Sequence, residues 1–397
     1  MAATTAARGP RITAVLRDKE TVTPLELFFD LVFVLALTQC TALMAEQPTW
    51  EGVAKGLLVL GVLWWAWVGY AWLTSVIDPE EGVVRIAIFG AMAGLLVVSL
   101  CVPEAFDDSA LLFAGAYGVV RAGQIVLFAA ASQDDANLRS SVIGLAGSTF
   151  VGVSLLVAAS LADGLLQGGL WALALLLDMA GPYFFGAEGW KLVPGHFAER
   201  HGLILIIALG ESIVAIGAGV EGAITLGVVA AAALGITVAA AQWWLYFDVV
   251  ALVAERKLSD AEVGREQNEI ARDSYSFLHL PMVAGIVLVA LGMKKTLGDI
   301  GDPLKLVVAM AMMTGAAMYL LAHVAFRYRN VHTVNKPRLI TAAVCLALIP
   351  ATTELAALAT LAILAGVMVA LVTYEALMYA EARDRIRHQL SDEVVTN

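Results

Sequence analysis

Charge is what this chain has least of. Only 15% of its residues are Asp, Glu, Lys or Arg, against 60% apolar, and the mean hydropathy is +0.82, whereas a water-soluble domain carries about 25% charged residues. That deficit excludes a soluble globular chain. Cysteine is as scarce: Cys40, Cys101 and Cys345 are an odd set in or beside apolar runs, which argues for small buried side chains over disulfides or a metal cage. Residues 1–20 hold Arg8, Arg11, Arg17 and Lys19 but no short apolar core with a cleavage site, so a retained cytoplasmic tail is expected, not a signal peptide. The alternating segments of an outer-membrane barrel are missing. So are a Gly-rich phosphate loop, a Gly-x-Ser-x-Gly or Ser-x-x-Lys nucleophile and a basic nucleic-acid face. Neither a cofactor nor a nucleic-acid partner is expected, and an enzyme is the less favoured class.

What is present is apolar helix, almost end to end. Runs long enough to cross a hydrocarbon layer of ~30 Å recur along the chain. Twelve spans are expected, at 25–45, 53–77, 83–102, 110–131, 139–161, 168–187, 202–220, 223–250, 272–293, 303–326, 338–351 and 353–380. The eleventh is short and ends at Pro350. With the N-terminus inside, nineteen of the 24 Lys and Arg fall on the inner side; Lys55, Lys294, Lys295 and Lys305 fall outside, and Arg121 lies within a span. That asymmetry predicts an N-in, C-in protein. Its outer loops are acidic (Glu46, Glu51, Glu104, Asp107, Asp108, Asp163 and Glu221). The inner loop 254–271 is polar, with Ser259 and Glu262 spaced as a capping box before a short surface helix.

The two halves echo one another. Leu63-Trp64-Trp65-Ala66-Trp67 leads to Asp78, and Gln242-Trp243-Trp244-Leu245-Tyr246 leads to Asp248; Tyr117 precedes Arg121 by four residues, and Tyr319 precedes His323 by four. The fold expected is therefore an all-α polytopic membrane protein of about 12 helices in two parallel six-helix pseudo-repeats. Its parts would be a tail at 1–22, halves at 23–190 and 191–381, the second including the linker helix 254–271, and a tail at 382–397.

Bare carboxylates in hydrocarbon need partners. Glu26 and Asp30 share one face near the start of the first span, and Arg121, Asp178 and Glu211 lie deep in spans four, six and seven. Arg121 is expected to pair with Asp178 or Glu211, while Glu26 and Asp30 are expected to contact Arg200 or Arg272. His196, Glu199 and Arg200 form a second cluster, read as an inner gate or network. His196, Glu199 and His201 lack the His-Glu-x-x-His order of zincins, so no metal site is expected. His279 and His323 are candidates for a proton path or for interhelical hydrogen bonds. The tryptophans at 64, 65, 67, 243 and 244 are read as core packing, with an aromatic ligand wall as the alternative.

Two of these stretches, Glu26-Leu27-Phe28-Phe29-Asp30-Leu31-Val32-Phe33 and His196-Phe197-Ala198-Glu199-Arg200 followed by Leu209-Gly210-Glu211-Ser212, resemble the bacterial low temperature requirement A proteins. The resemblance covers nearly the whole chain and implies a polytopic inner-membrane protein, without implying a particular activity. The six-plus-six layout is more distantly similar to the two-repeat potassium channels, with Phe29 where their first-helix motif has serine. The function expected is a secondary transporter for a small solute or ion, with a central site lined by spans one, four, six and seven and carboxylates coupling H+ or cation movement. A cation channel, or a membrane enzyme or signalling protein of the cell envelope, are the alternatives. The partner expected in every case is the lipid bilayer.

Overall fold

The computed structural model describes residues 21–80, 82–184, 189–220 and 222–381. All but two residues of the expected N-terminal tail, the whole C-terminal tail and Glu221 lie outside the described residues. The described residues form fourteen α-helices: α1 (Pro24–Glu46), α2 (Trp50–Val76), α3 (Gly82–Cys101), α4 (Ala110–Ala131), α5 (Ala136–Ala159), α6 (Gly164–Phe184), α7 (Pro194–Gly219), α8 (Leu226–Phe247), α9 (Val250–Ser259), α10 (Arg265–Ile270), α11 (His279–Gly298), α12 (Leu306–Val331), α13 (Lys336–Thr352) and α14 (Ala357–Met378). Among the described residues, extended pairing is limited to one isolated bridge, Pro303 to Ala356.

Among the described residues, eleven helical segments are long and apolar enough to cross a membrane, with α8 and α9 running together as one and α10 to α11 as another. The expected eleventh span corresponds to α13, whose 17 residues extend roughly 26 Å and fall short of that length. Its ends are nevertheless fixed at opposite ends of α14. Asn335 Nδ2 donates to Glu375 Oε1 at 2.9 Å, and Thr360 Oγ1 donates to Thr352 O at 3.1 Å. The expected linker helix also differs. Ser259 is the last residue of α9, its hydroxyl turned back to Glu255 O at 3.0 Å, and α10 starts only after Gly264, whose φ of 111° breaks the chain direction. The spacing of Ser259 and Glu262 signals no cap because no helix begins there.

Packing follows a pattern that recurs along the chain. α1 packs on α2 and α3, α3 on α4, α4 on α5, α5 on α6 and α6 on α2; α7 packs on α8 and α11, α11 on α12, α12 on α13, α13 on α14 and α14 on α8. α1 and α7 lie against each other, and α11, buried along nearly its whole length, fills the middle. Glycine sets the closest approach: a Cβ on Gly285 of α11 would sit 2.6 Å from Gly315 O of α12, so two backbones meet where any side chain would separate them. Between α10 and α11, residues Ala271–Phe277 form a π-helical turn, a distortion often found beside functional groups. It is tied to three other helices by Trp64 Nε1 to Ser276 O at 2.8 Å, Tyr183 OH to Asp273 Oδ1 at 3.2 Å and Ser274 Oγ to Asn330 Oδ1 at 3.1 Å. The outside of the bundle is lined with exposed apolar side chains such as Ile86, Phe150, Leu165 and Leu226, the surface of a membrane protein.

Candidate functional site

α1 starts where its sequence says it must. Thr23 is an extended N-cap, Pro24 occupies the first turn, and Glu26 closes a capping box by accepting from Thr23 N at 2.9 Å. The same carboxylate then faces α7. Its Oε1 lies 2.8 Å from His196 Nε2 and 3.1 Å from Arg200 Nη1. One turn further on, Asp30 Oδ1 accepts from Arg200 Nη2 at 2.7 Å and from Trp67 Nε1 of α2 at 2.9 Å. Ser75 Oγ stands 3.3 Å from His196 Nδ1, and the guanidinium sits 5.7 Å from the Trp67 ring. Glu26, Asp30, His196 and Arg200 are all at most 1% exposed. The sequence-derived pairing with Arg200 is the one formed.

Arg272 stands apart from that cluster, bonded to Asp273 Oδ1 at 2.8 Å and stacked 4.0 Å from the Tyr183 ring. Glu199 is also separate. It is exposed and accepts from Val22 N at 2.7 Å, while its neighbours at 196 and 200 turn inward.

A second ion pair joins α4 to α6. Arg121 Nη2 lies 3.1 Å from Asp178 Oδ1, with Thr149 Oγ1 of α5 bonded to both at 2.6 and 3.0 Å, and Arg121 Nη1 donates to Trp65 O at 3.2 Å. Of the two partners expected for Arg121, Asp178 is the one in place. Arg121 borders a cavity of about 70 Å³ lined also by Trp65, Gln124, Phe128 and Trp190, with walls from α2, α4, α5, α6, α10 and the π-helical turn. Of the charged residues singled out in the sequence, Arg121 and Arg272 line it. Four polar atoms of residues at this cavity, Trp65 Nε1, Arg121 Nε and both ends of the Gln124 amide, have no hydrogen-bond partner.

Glu211 is the third position. It is 1% exposed on α7, eleven residues or about 16 Å beyond Arg200. Thr38 Oγ1 of α1 donates to its Oε2, and Thr41 lies beside it. Among the described residues no cation lies within ion-pair distance of Glu211; the charge whose field reaches it is Lys294 of α11. The facing pairs Glu26 with His196, Asp30 with Arg200 and Thr38 with Glu211 advance together, so α1 and α7 run parallel.

The histidines form a separate aromatic layer. His201 stacks edge-on against His279 at 5.2 Å and against Trp67 at 4.9 Å; His279 Nε2 meets Tyr246 OH at 2.9 Å, and Tyr319 packs on His323 at 4.5 Å. Trp64, Trp65 and Trp67 are core residues as expected, whereas Trp243 and Trp244 on α8 are 45% and 39% exposed. Trp243 lies outside the core, stacked on Phe247, and Trp244 borders a cavity, the place the ligand-wall alternative gave it.

Sequence reasoning passed over the Thr38 and Thr41 hydroxyls, Gln124, and the ion pair of Arg338 Nη2 with Glu375 Oε2 at 2.8 Å. The first two were visible as polar residues inside apolar helices. The last was hidden because both residues lie close to span ends, where charge is ordinary. In the loops, Asp135 and Asp299 are carboxylates held below the usual range chiefly by backbone N–H groups, of Leu138 and Asp302 respectively.

These motifs can be set against known proteins. The family model for the bacterial low temperature requirement A protein matches residues 21–373, most of the chain. The chain belongs to the low temperature requirement A family. A relative from Rhizobium meliloti (strain 1021), named uncharacterized protein RA0937, is 30% identical over 279 residues, 67% of this chain and 67% of its own. No solved structure matches. The matched region contains the α1–α7 cluster, the Arg121–Asp178 pair and Glu211, so this low temperature requirement A protein carries all three within the family region.

Proposed function

We propose that this chain is a secondary transport protein of the bacterial inner membrane that couples movement of a small solute to that of H+ or a small cation, with Glu211 as the coupling carboxyl. One observation carries the reading: Glu211 is buried within a span and held by a threonine hydroxyl, with no cation at ion-pair distance among the described residues. A carboxyl so placed can exchange a proton, or offer oxygen ligands to a hard cation, without first breaking a salt bridge. Glu26 and Asp30, clamped by Arg200 and His196, serve instead as the joint between the α1 and α7 halves.

The architecture proposed is twelve passes in two parallel six-helix halves, N-in and C-in. Three facts support it: the like packing orders of α1–α6 and α7, α8, α11–α14, the parallel run of α1 and α7, and the anchoring of α13 at both ends of α14. The excess of Lys and Arg on one side supports the orientation.

The reading is tested with purified protein in liposomes containing a pH-sensitive dye, under imposed proton, sodium and potassium gradients. Protein-dependent movement of protons or cations that Glu211→Gln abolishes is the expected result. Absence of any such flux under all three gradients would sink the proposal, and a current without solute coupling would move it to the channel class.

A further inference from the structure

A cavity of about 460 Å³ opens between α8, α9, α12, α13 and α14, within the range of ordinary small-molecule sites, ~300 to 1,000 Å³. Its wall divides by chemistry. Trp244, Val250, Val253 and Phe326 give an apolar side, and Arg338, His323, Glu375 and Asn335 a polar one. Arg338 is 6% exposed and anchors the polar side: its Nε and Nη2 donate to Glu375 at 2.9 and 2.8 Å, and its Nη1 meets His323 Nδ1 at 2.9 Å.

Hydrogen-bond accounting then defines what is left over. A guanidinium only donates, so His323 Nδ1 must accept and the imidazole hydrogen sits on Nε2. That Nε2 has no partner and no accessible surface, so it is sealed in the packing and does not face the cavity. Arg338 uses three of its five N–H donors on Glu375 and His323. Glu375 already accepts from Arg338 through both oxygens and from Asn335 Nδ2 at 2.9 Å. The donors left over on the polar side are therefore the two spare N–H groups of Arg338, in a cavity whose other side is apolar.

We propose that this cavity is a binding site for a monocarboxylate with a short aliphatic chain, its head on the two spare N–H groups of Arg338 and its chain along Trp244, Val250 and Phe326. Glu375 and Asp248, both on the cavity wall, limit the head to a single negative charge, which disfavours a phosphomonoester. The site shares no residue with Glu211 and its threonines, so it stands or falls apart from the transport reading.

The test is equilibrium binding of radiolabelled hexanoate to the full chain in detergent, with unlabelled hexanoate, hexanamide and hexylammonium as competitors. Saturable binding near one per chain is expected, with hexanamide at least ten-fold weaker than hexanoate and hexylammonium inert. Val250→Trp, which fills the cavity and leaves the Arg338–Glu375 pair untouched, should weaken hexanoate at least ten-fold at an unchanged melting temperature. Arg338→Lys should also weaken it, and the Val250 variant keeps the test valid if Arg338→Lys does not fold. No saturable binding, equal competition by the amide or the ammonium, or full binding by Val250→Trp overturns the proposal. A co-purifying phospholipid seen by native mass spectrometry that hexanoate fails to displace, but that Val250→Trp removes, overturns it in favour of a lipid.

Discussion

The α1–α7 contact holds carboxylates in two opposite conditions within a few helical turns. At its start, Glu26 and Asp30 are enclosed with Arg200, His196 and Trp67, every short contact being an ion pair or a charge-assisted hydrogen bond. Further along, Glu211 meets Thr38 and, among the described residues, no close cation. Burial is the same at both places, 0 to 1% exposed; what differs is the partner. A carboxylate tied to a guanidinium is expensive to move or protonate, because freeing it strands a buried charge. A carboxyl tied to a hydroxyl changes state at lower cost. Depth in the membrane alone therefore does not mark the working residue, and the identity of the neighbour does.

That contrast can be broken by substitution, and the largest effect belongs to its locked end. Arg200→Ala strands both Glu26 and Asp30 and should lower stability by about 3–5 kcal/mol, read as a loss of folded protein in thermal or SDS titration of detergent-solubilised chain. If the variant were as stable as the parent, the locked cluster would not be a structural joint. Asp178→Asn should cost less, about 2–3 kcal/mol, since Arg121 keeps Thr149 and Trp65 O; a loss matching that of Arg200→Ala would show the first-half pair to be the stronger tie. Trp67→Phe removes one indole N–H from Asp30 while keeping the stack and should cost about 1–2 kcal/mol. A neutral result there would assign Asp30 to Arg200 alone. Glu211→Gln keeps the shape and a hydrogen-bond acceptor for Thr38, and its stability change should stay within about 1 kcal/mol.

Much of the fold was legible in the sequence because membrane helices are written in long runs that water-soluble context cannot blur. Eleven of the spans read from hydropathy are helices of spanning length, and α13 differs because Pro350 and a short apolar stretch leave it 17 residues. The local pairing at Arg121 and at Arg200 was legible too, since a buried charge restricts its partners to few candidates. Which acid answered Arg121 was not, because it depends on α5 placing Thr149 between α4 and α6. Where space opens was not legible either: one cavity lies between α2, α4, α5, α6 and the α10–α11 turn, another between α8, α9, α12, α13 and α14. Nor does hydropathy reveal helix rotation, so Trp243 was assigned to a core it lies outside, and Trp244 to packing where it borders a cavity.

The sharpest test of the contrast is flux per folded molecule for Glu211→Gln in proteoliposomes, measured beside its melting temperature. The account predicts that gradient-driven flux is lost while the melting temperature holds. Flux at the parent's level in a folded Glu211→Gln protein would contradict it.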